Sequence, residues 1–396
     1  MQDLTDISTD FLDNKTKYPY GDPSRGARVL FFSGGSALHS LCQPLLNYTY
    51  NSIHLLPPFD SGGSSAELRK AFKMPAIGDV RARLLSLIDT NWQGRESVNA
   101  LFSFRFKQNT PSAALLQLNK LVSGEHTLTN NLTPEFTQVV KRNLATFLNK
   151  VPDDFNYHNA AIGNLILAGG YLTHDSQLEA ALSELSKLMC VRGTVRLTVN
   201  DDYHLSVKLH NGQRLIGQHL MTGKEHPAIS SPIKEIALSK SSKRFSNAQS
   251  NMSDFTRQLI EDADLICFPP GSFYSSVVAN LLPKGIVNAV TQNPNLKVYV
   301  PSLGRDPEML GLNAFQSMEK IANMLTLEHT KPTSLTHVLL DKTILAEQLK
   351  ASSSKPKLQQ LHKMGVEIIQ ADLMSAAYFP YYDPHKLCNA LMLLAK

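Results

Sequence analysis

The sequence predicts an α/β protein: a doubly wound, mostly parallel Rossmann-like sheet in an αβα sandwich, with a helical cap region and a small antiparallel β insertion. Three observations predict it. Short runs of strand-forming residues recur along the chain, each closed by a glycine- or serine-rich loop and followed by helical spacing. Several of these runs are apolar throughout, as strands are when helical crossovers cover both faces of a parallel sheet. Between residues 193 and 221 the pattern changes to short stretches separated by Asn200-Asp201-Asp202 and His210-Asn211-Gly212, where Asn-Gly is a hairpin signal.

In chain order, residues 1–25 read as a polar leader ending in prolines and glycine, and residues 26–396 as one α/β domain. Residues 28–32 form the first strand, stopped by Gly34-Gly35, and residues 37–46 have helical spacing. A second strand at 52–56 precedes the serine-glycine loop that ends at Ser65, with a short helix at 66–72. Asp79 is placed to cap a helix over 80–88, and Arg83 within it is expected at the surface. Residues 99–189 are mainly helical, including 135–148 and 162–172, and form the cap. The stretches 194–199, 205–209 and 214–220 are assigned to the antiparallel unit. Parallel-type strands then resume at 265–268, 297–300, 337–340 and 366–370, with binding sites expected at their carboxyl ends.

Composition narrows the function classes. A chain of 396 residues, 42% hydrophobic and 18% charged, is long and apolar enough for a large core. The net charge of +5 is spread; its densest cluster, Lys240, Lys243 and Arg244 among serines, reads as a solvated loop and argues against a nucleic-acid partner. Four distant cysteines form no CxxC pair, which argues against a zinc knuckle or disulfide framework and for a reducing, cytoplasmic setting. The first fifteen residues carry four aspartates, and no eighteen-residue apolar run exists, so neither a signal peptide nor a membrane partner is expected. His204, His210 and His219 are irregularly spaced and read as structural or solvated; no HExxH or GxSxG motif is present. Apolar helix faces are too common to decide for or against a homo-oligomer.

Four small-residue loops carry the chemistry. Gly34, Gly35 and Ser36 follow a strand and can turn backbone N–H groups toward a phosphate, though two glycines also simply make a close turn. Asp60, Ser61, Gly62, Gly63, Ser64 and Ser65 form a second cradle, with Arg69 as a phosphate partner one helical turn on. Asp60 suits a metal ion or a substrate hydroxyl, and equally a turn. Asp79 and Arg81 face the same crevice or else cap and solvate a helix, and Asn164 opens a small-residue helix after His158 and Asn159. In the last loop Pro270, Gly271, Ser272 and Ser275 offer donors, and Tyr274 either stacks on a base or packs. Donors without an evident nucleophile imply a phosphorylated small-molecule ligand held by positioning and charge.

Taken in order, these loops resemble the CofD-like family, which contains 2-phospho-L-lactate transferase and the YvcK-type gluconeogenesis and cell-shape factors. Family members show a GGTG turn, an ADDGGSSGxLR loop, PPGDxR, a GN helix start and a GPGSLYTS loop. Here these stand as Gly34-Gly35-Ser36-Ala37, Phe59-Asp60-Ser61-Gly62-Gly63-Ser64-Ser65-Ala66-Glu67-Leu68-Arg69, Ile77-Gly78-Asp79-Val80-Arg81, Ile162-Gly163-Asn164 and Pro270-Gly271-Ser272-Phe273-Tyr274-Ser275-Ser276. The likeness spans residues 27–394.

The transferase branch implies transfer of a phospholactyl group from a guanosine diphosphate-linked donor to a deazaflavin alcohol, with magnesium, for which Asp60 is the candidate ligand. The YvcK branch implies binding of a UDP-sugar, and the last loop resembles its version. Phe59 is read as occupying the first position of the family's Asp-Asp pair, leaving Asp60 alone; Ala37 and Ala66 replace glycines, and Pro269 is added. Arg305 falls where the YvcK-type pattern has polar ligand contacts. The expected function is therefore nucleotide or nucleotide-sugar binding with a regulatory output. A phospholactyl-type transferase is the alternative, and a structural protein the third reading.

Overall fold

The computed structural model describes residues 21–35, 38–107, 111–326, 333–344 and 354–395. The leader up to residue 20 and the candidate Ser36 lie outside the described residues. In chain order the strands are β1 (Val29–Phe32), β2 (Ile53–Leu56), β3 (Thr194–Leu197), β4 (His204–Leu209), β5 (Arg214–Ile216), β6 (Ile233–Ser239), β7 (Asn247–Ala248), β8 (Leu265–Phe268), β9 (Leu296–Tyr299), β10 (His337–Asp341) and β11 (Glu367–Ala371).

Seven of them form one sheet in the order β11-β10-β9-β8-β1-β2-β3, and every neighbouring pair is parallel. The chain winds outward from β1 to β3, returns past β1 to β8, and winds outward again to β11. The order therefore reverses between β1 and β8, and the loops leaving those two strands diverge there into a crevice.

Alternation along each strand divides the core. Leu30, Phe32, Ile266 and Phe268 enter one apolar cluster, while Val29, Phe31, Leu265 and Cys267 enter another on the opposite face. All eight are buried, which is why these runs look continuously apolar in the sequence. A third cluster belongs to the helical cap, where Pro134–Lys150 packs on Ile162–Thr173. Those two helices meet backbone to backbone: a Cβ on Gly169 would sit 1.9 Å from the Asn143 carbonyl oxygen.

The antiparallel unit differs from the expectation. It has the order β5-β4-β6-β7 and runs from His204 to Ala248, with Leu205, Val207, Leu209 and Leu238 turned into the core. Thr194–Leu197 does not belong to it and instead pairs in parallel with β2. Its alternation, with Val195 and Leu197 buried and Thr194 and Arg196 half-buried, comes from lying at a sheet edge; a hairpin strand gives the same pattern. β6 escapes sequence reading because its central residues, Lys234 to Ala237, face outward or lie half-buried. Among the described residues no helix is long and apolar enough to cross a membrane.

Candidate functional site

Three helices begin at this carboxyl-end crevice: Gly63–Phe72 after β2, Gly78–Ser86, and Ile162–Thr173 from the cap. None has a side-chain cap; Thr133, Ser253, Asn313 and Asp383 cap helices elsewhere, while His39–Leu45, Arg95–Ser103, Leu178–Leu188 and Ile286–Gln292 are likewise uncapped. Their first turns meet. Asn164 Nδ2 donates to Ser64 Oγ at 2.9 Å, and Ser65 Oγ lies 2.7 Å from where a Cβ on Gly78 would be. Asn164 Oδ1 is buried without a partner among the described residues. Three uncapped N-termini leave N–H groups and positive helix ends facing one small region.

The β1 loop forms the floor. A Cβ on Gly34 would stand 2.2 Å from Ser276 Oγ, and one on Gly35 would stand 2.1 Å from Asp79 Oδ1. Both glycines therefore make room for neighbouring side chains. Asp79 is not the expected N-cap: it lies inside the first helical turn, accepts the Gly35 N–H and is half-buried. Burial first, and the nearby Asp60 second, push its carboxyl up to about 6, against the pull of the Gly35 N–H, Arg83 and Lys224.

Arg83 is the largest correction. It is completely buried, donating from Nη2 to the Gly34 carbonyl at 2.8 Å and from Nη1 to Cys42 Sγ at 2.8 Å. Asp79 and Arg83 stand four residues apart, so one helix face carries both; that spacing was the available signal.

Asp79 makes stability depend on pH. Its folded value of about 6 lies above the ordinary 3.8, so the native state retains a proton that the unfolded chain releases. Its contribution therefore falls as pH rises from about 4 to about 6, by on the order of 3 kcal/mol. Urea unfolding of Asp79→Asn across that range should show a correspondingly flatter profile than the parent protein. An unchanged slope would contradict the assignment.

In the β2 loop one Asp60 oxygen accepts the Gly62 N–H at 3.1 Å, as the turn reading expects. Ser61 Oγ lies 2.7 Å from His219 Nδ1. His219, expected to be structural or solvated, belongs to the segment 217–226 that follows β5 and closes over this loop. Glu225 Oε1 would stand 2.5 Å from a Cβ on Gly62, and the His219 and His226 ring centroids are 5.2 Å apart. Burial, then His226, lowers the His219 pKa. Lys224 lies close enough to Asp79 and Asp306 to favour their charged forms. Sequence spacing could not find these residues, because the antiparallel unit carries them in from more than 150 positions away.

Two arginines have other occupations. Arg69, expected on a phosphate, is buried and donates to Asp202 Oδ1 at 2.8 Å and to the carbonyls of Asp60 and Tyr203. It fastens the β2 loop to the antiparallel unit. Arg81 donates to the Phe102 carbonyl at 2.9 Å; burial, then Arg105, lowers its pKa to about 10.

The loop after β8 is the second main correction, because this protein's own acids fill its cradle. Gly271 N donates to Ser302 Oγ at 3.0 Å and Phe273 N to Asp306 Oδ2 at 2.7 Å. Tyr274 N and Ser275 N donate to Glu308 Oε2 at 2.9 and 2.8 Å, and Ser275 Oγ donates to Glu308 Oε1. Glu308 is completely buried, and burial together with Asp306 raises its pKa. Tyr274 is 1% exposed and packs in the core beside Phe273, so it is unavailable to stack on a base. Pro270, Gly271 and Ser272 remain half-buried at the mouth, and Arg305 is exposed beyond them.

The sequence model of the family described as 2-phospho-L-lactate transferase CofD matches residues 29–374. The chain belongs to the CofD family. It is 25% identical over 379 residues to the gluconeogenesis factor of Bacillus subtilis, covering 93% of this chain and 98% of that protein. It is 25% identical to a putative gluconeogenesis factor of Clostridium acetobutylicum, covering 88% of this chain but 65% of that longer protein. A Saccharomyces cerevisiae protein, YNL011C, is 28% identical over 251 residues, which cover 60% of this chain and 54% of the yeast protein. The fold matches a crystal structure of a UPF0052 family member from Bacillus halodurans with a TM-score of 0.65 at 22% identity, covering 93% of this chain and 99% of that one.

Phe59 does not stand at the first position of the family's Asp-Asp pair. Aligned on Gly62-Gly63, the ADD of the family loop falls on Phe59, Asp60 and Ser61, so Ser61 replaces the second acid and Phe59 replaces the alanine. Phe59 is 1% exposed and packs in the core, as an apolar position would. The departure from the CofD pattern is thus the serine that meets His219.

Proposed function

We propose that this CofD-family protein binds a nucleotide or nucleotide-sugar in the cytoplasm, with the phosphates at the three converging helix N-termini, and serves as a regulator. One observation carries the reading: the uncapped first turns at Gly63, Gly78 and Ile162 meet at the sheet's switch point, where Lys224 adds a cation. Such a field attracts a compact anion. Asp60 and Asp79, close enough to influence each other, would hold a magnesium ion from one side, since magnesium accepts one or two protein carboxylates beside substrate phosphates. When bound, the ion would neutralise diphosphate charge.

A thermal-shift series with GDP, UDP, UDP-N-acetylglucosamine and UDP-glucose, with and without magnesium, tests the reading. A true ligand at a hundred times its dissociation constant should stabilise the native state by about 2.7 kcal/mol. A melting temperature unmoved by every nucleotide would overturn the proposal.

The Ser61 to His219 contact favours a second reading, transfer of a phospholactyl-type group to an alcohol. A lowered pKa keeps His219 neutral near pH 7 and able to accept a hydroxyl proton through Ser61. Release of nucleoside monophosphate only when donor and alcohol are both present would identify it.

A further inference from the structure

We infer that Tyr378, Phe379 and Tyr381 form a shelf at the outer end of the crevice that stacks on the planar base of the ligand. This rests on the reading of the ligand as a nucleotide. The three side chains are 40, 73 and 62% exposed, and with Leu310 they make up four of the six exposed large apolar side chains among the described residues. All four stand on two adjoining loops, those that follow β9 and β11. The loops touch: a Cβ on Gly304 would lie 2.6 Å from Tyr381 Cε1, and Tyr382 Oη donates to the Pro301 carbonyl at 2.9 Å.

The aromatic turn is held in place from beneath. Asp341 Oδ2 accepts the N–H groups of Leu373 and Met374, Ser375 Oγ donates to Asp383 Oδ2, and Tyr381 N donates to the Tyr378 carbonyl. A backbone fixed beneath the rings removes the main-chain part of the ordering cost that binding would otherwise impose.

Position supplies the occupant. The shelf stands at the same carboxyl edge of the sheet as the helix N-termini. The rings follow β11, four strands from β1 or about 19 Å at ordinary strand spacing, but Tyr381 leans onto the loop after β9, which lies two strands or about 10 Å from β1. Between them, Gly304 leads into Asp306, whose carboxylate holds the Phe273 N–H and lies near Lys224. A ligand with its diphosphate on the uncapped helices would meet Tyr381 with its other end by extending across the loops after β8 and β9. A nucleobase suits that end, because any base can stack on an aromatic side chain, and the exposed Arg305 beside Gly304 adds a second planar, cationic surface.

The test measures affinity of the full chain for UDP, GDP and inorganic pyrophosphate, in the parent protein and in Phe379→Ala and Tyr381→Ala, with circular dichroism to verify folding and sedimentation on the same samples. Loss of a stacked base should weaken UDP and GDP roughly ten- to a hundred-fold in at least one variant and leave pyrophosphate unchanged. UDP and GDP affinities that stay at the parental value in both variants would overturn the shelf and leave the nucleotide reading standing. Variants that alter only the sedimentation would overturn it too, and would mark the rings as a contact between copies of the chain. Equal weakening of pyrophosphate would also overturn the shelf. A parent protein that binds neither UDP nor GDP would overturn both readings.

Discussion

Replacing Arg83 with methionine should lower the unfolding free energy by roughly 1–3 kcal/mol, the usual cost of leaving a buried acceptor without its donor. Its guanidinium is wholly enclosed, and its donors go to the Gly34 carbonyl, to Cys42 Sγ and, at longer range, to Ser33 Oγ. It also supplies the positive charge that partly offsets Asp79. Methionine fills much of the space but leaves the Gly34 carbonyl unpaired and Asp79 with Lys224 as its remaining cation. Lysine would not restore the fork, since one ammonium cannot reach the carbonyl and the sulfur in the same plane. Urea denaturation measures the loss, and adding Asp79→Asn to the methionine variant should recover part of it. A methionine variant as stable as its parent would show that the guanidinium is not holding the β1 loop.

Truncating Glu308 to alanine should have an effect of similar size. Three donors, Tyr274 N, Ser275 N and Ser275 Oγ, would lose their acceptor in a buried site, at roughly 1–3 kcal/mol for each group left unsatisfied. Glu308→Gln keeps an acceptor for the two N–H groups and an amide for the hydroxyl, so its cost should be far smaller. The pH profile separates charge from shape. Burial and Asp306 raise the Glu308 pKa, so the native state holds its proton where the unfolded chain gives it up, and stability falls as pH rises through that interval. Glutamine should flatten this part of the profile. Equal stability of the alanine and parent proteins would show that the loop after β8 does not depend on this acid.

The strands were legible where burial alone decides them. Residues 265–268 form an apolar run between Asp264 and Pro269, and the structure gives β8 those same bounds. Thr194–Leu197 was legible as a strand but not in its partner, because edge strands of parallel sheets and hairpin strands alternate alike. The glycine loops could be found in the sequence, whereas the reason for the glycines could not. Gly34 and Gly35 make room for Ser276 and Asp79, contacts that exist only once distant segments have folded together. Glu308 gave no sign at all: an acid between Pro307 and Met309 looks like a solvated loop residue, and its partners lie more than thirty positions earlier. His219 was hidden in the same way by the antiparallel unit that delivers it to Ser61.

On the proposed reading, the acids inside the crevice would make magnesium-free capture of an anion a proton-coupled event. Asp79 holds its proton up to about pH 6, and Glu308 is raised in the same direction. A phosphate settling nearby adds negative charge beside them and raises their proton affinity further. A magnesium ion held by Asp60 and Asp79 would displace the Asp79 proton, whereas capture of an anion without magnesium would draw protons from the medium. Affinity would strengthen under mild acidification, and the heat of binding would vary with the ionisation enthalpy of the buffer that supplies the proton.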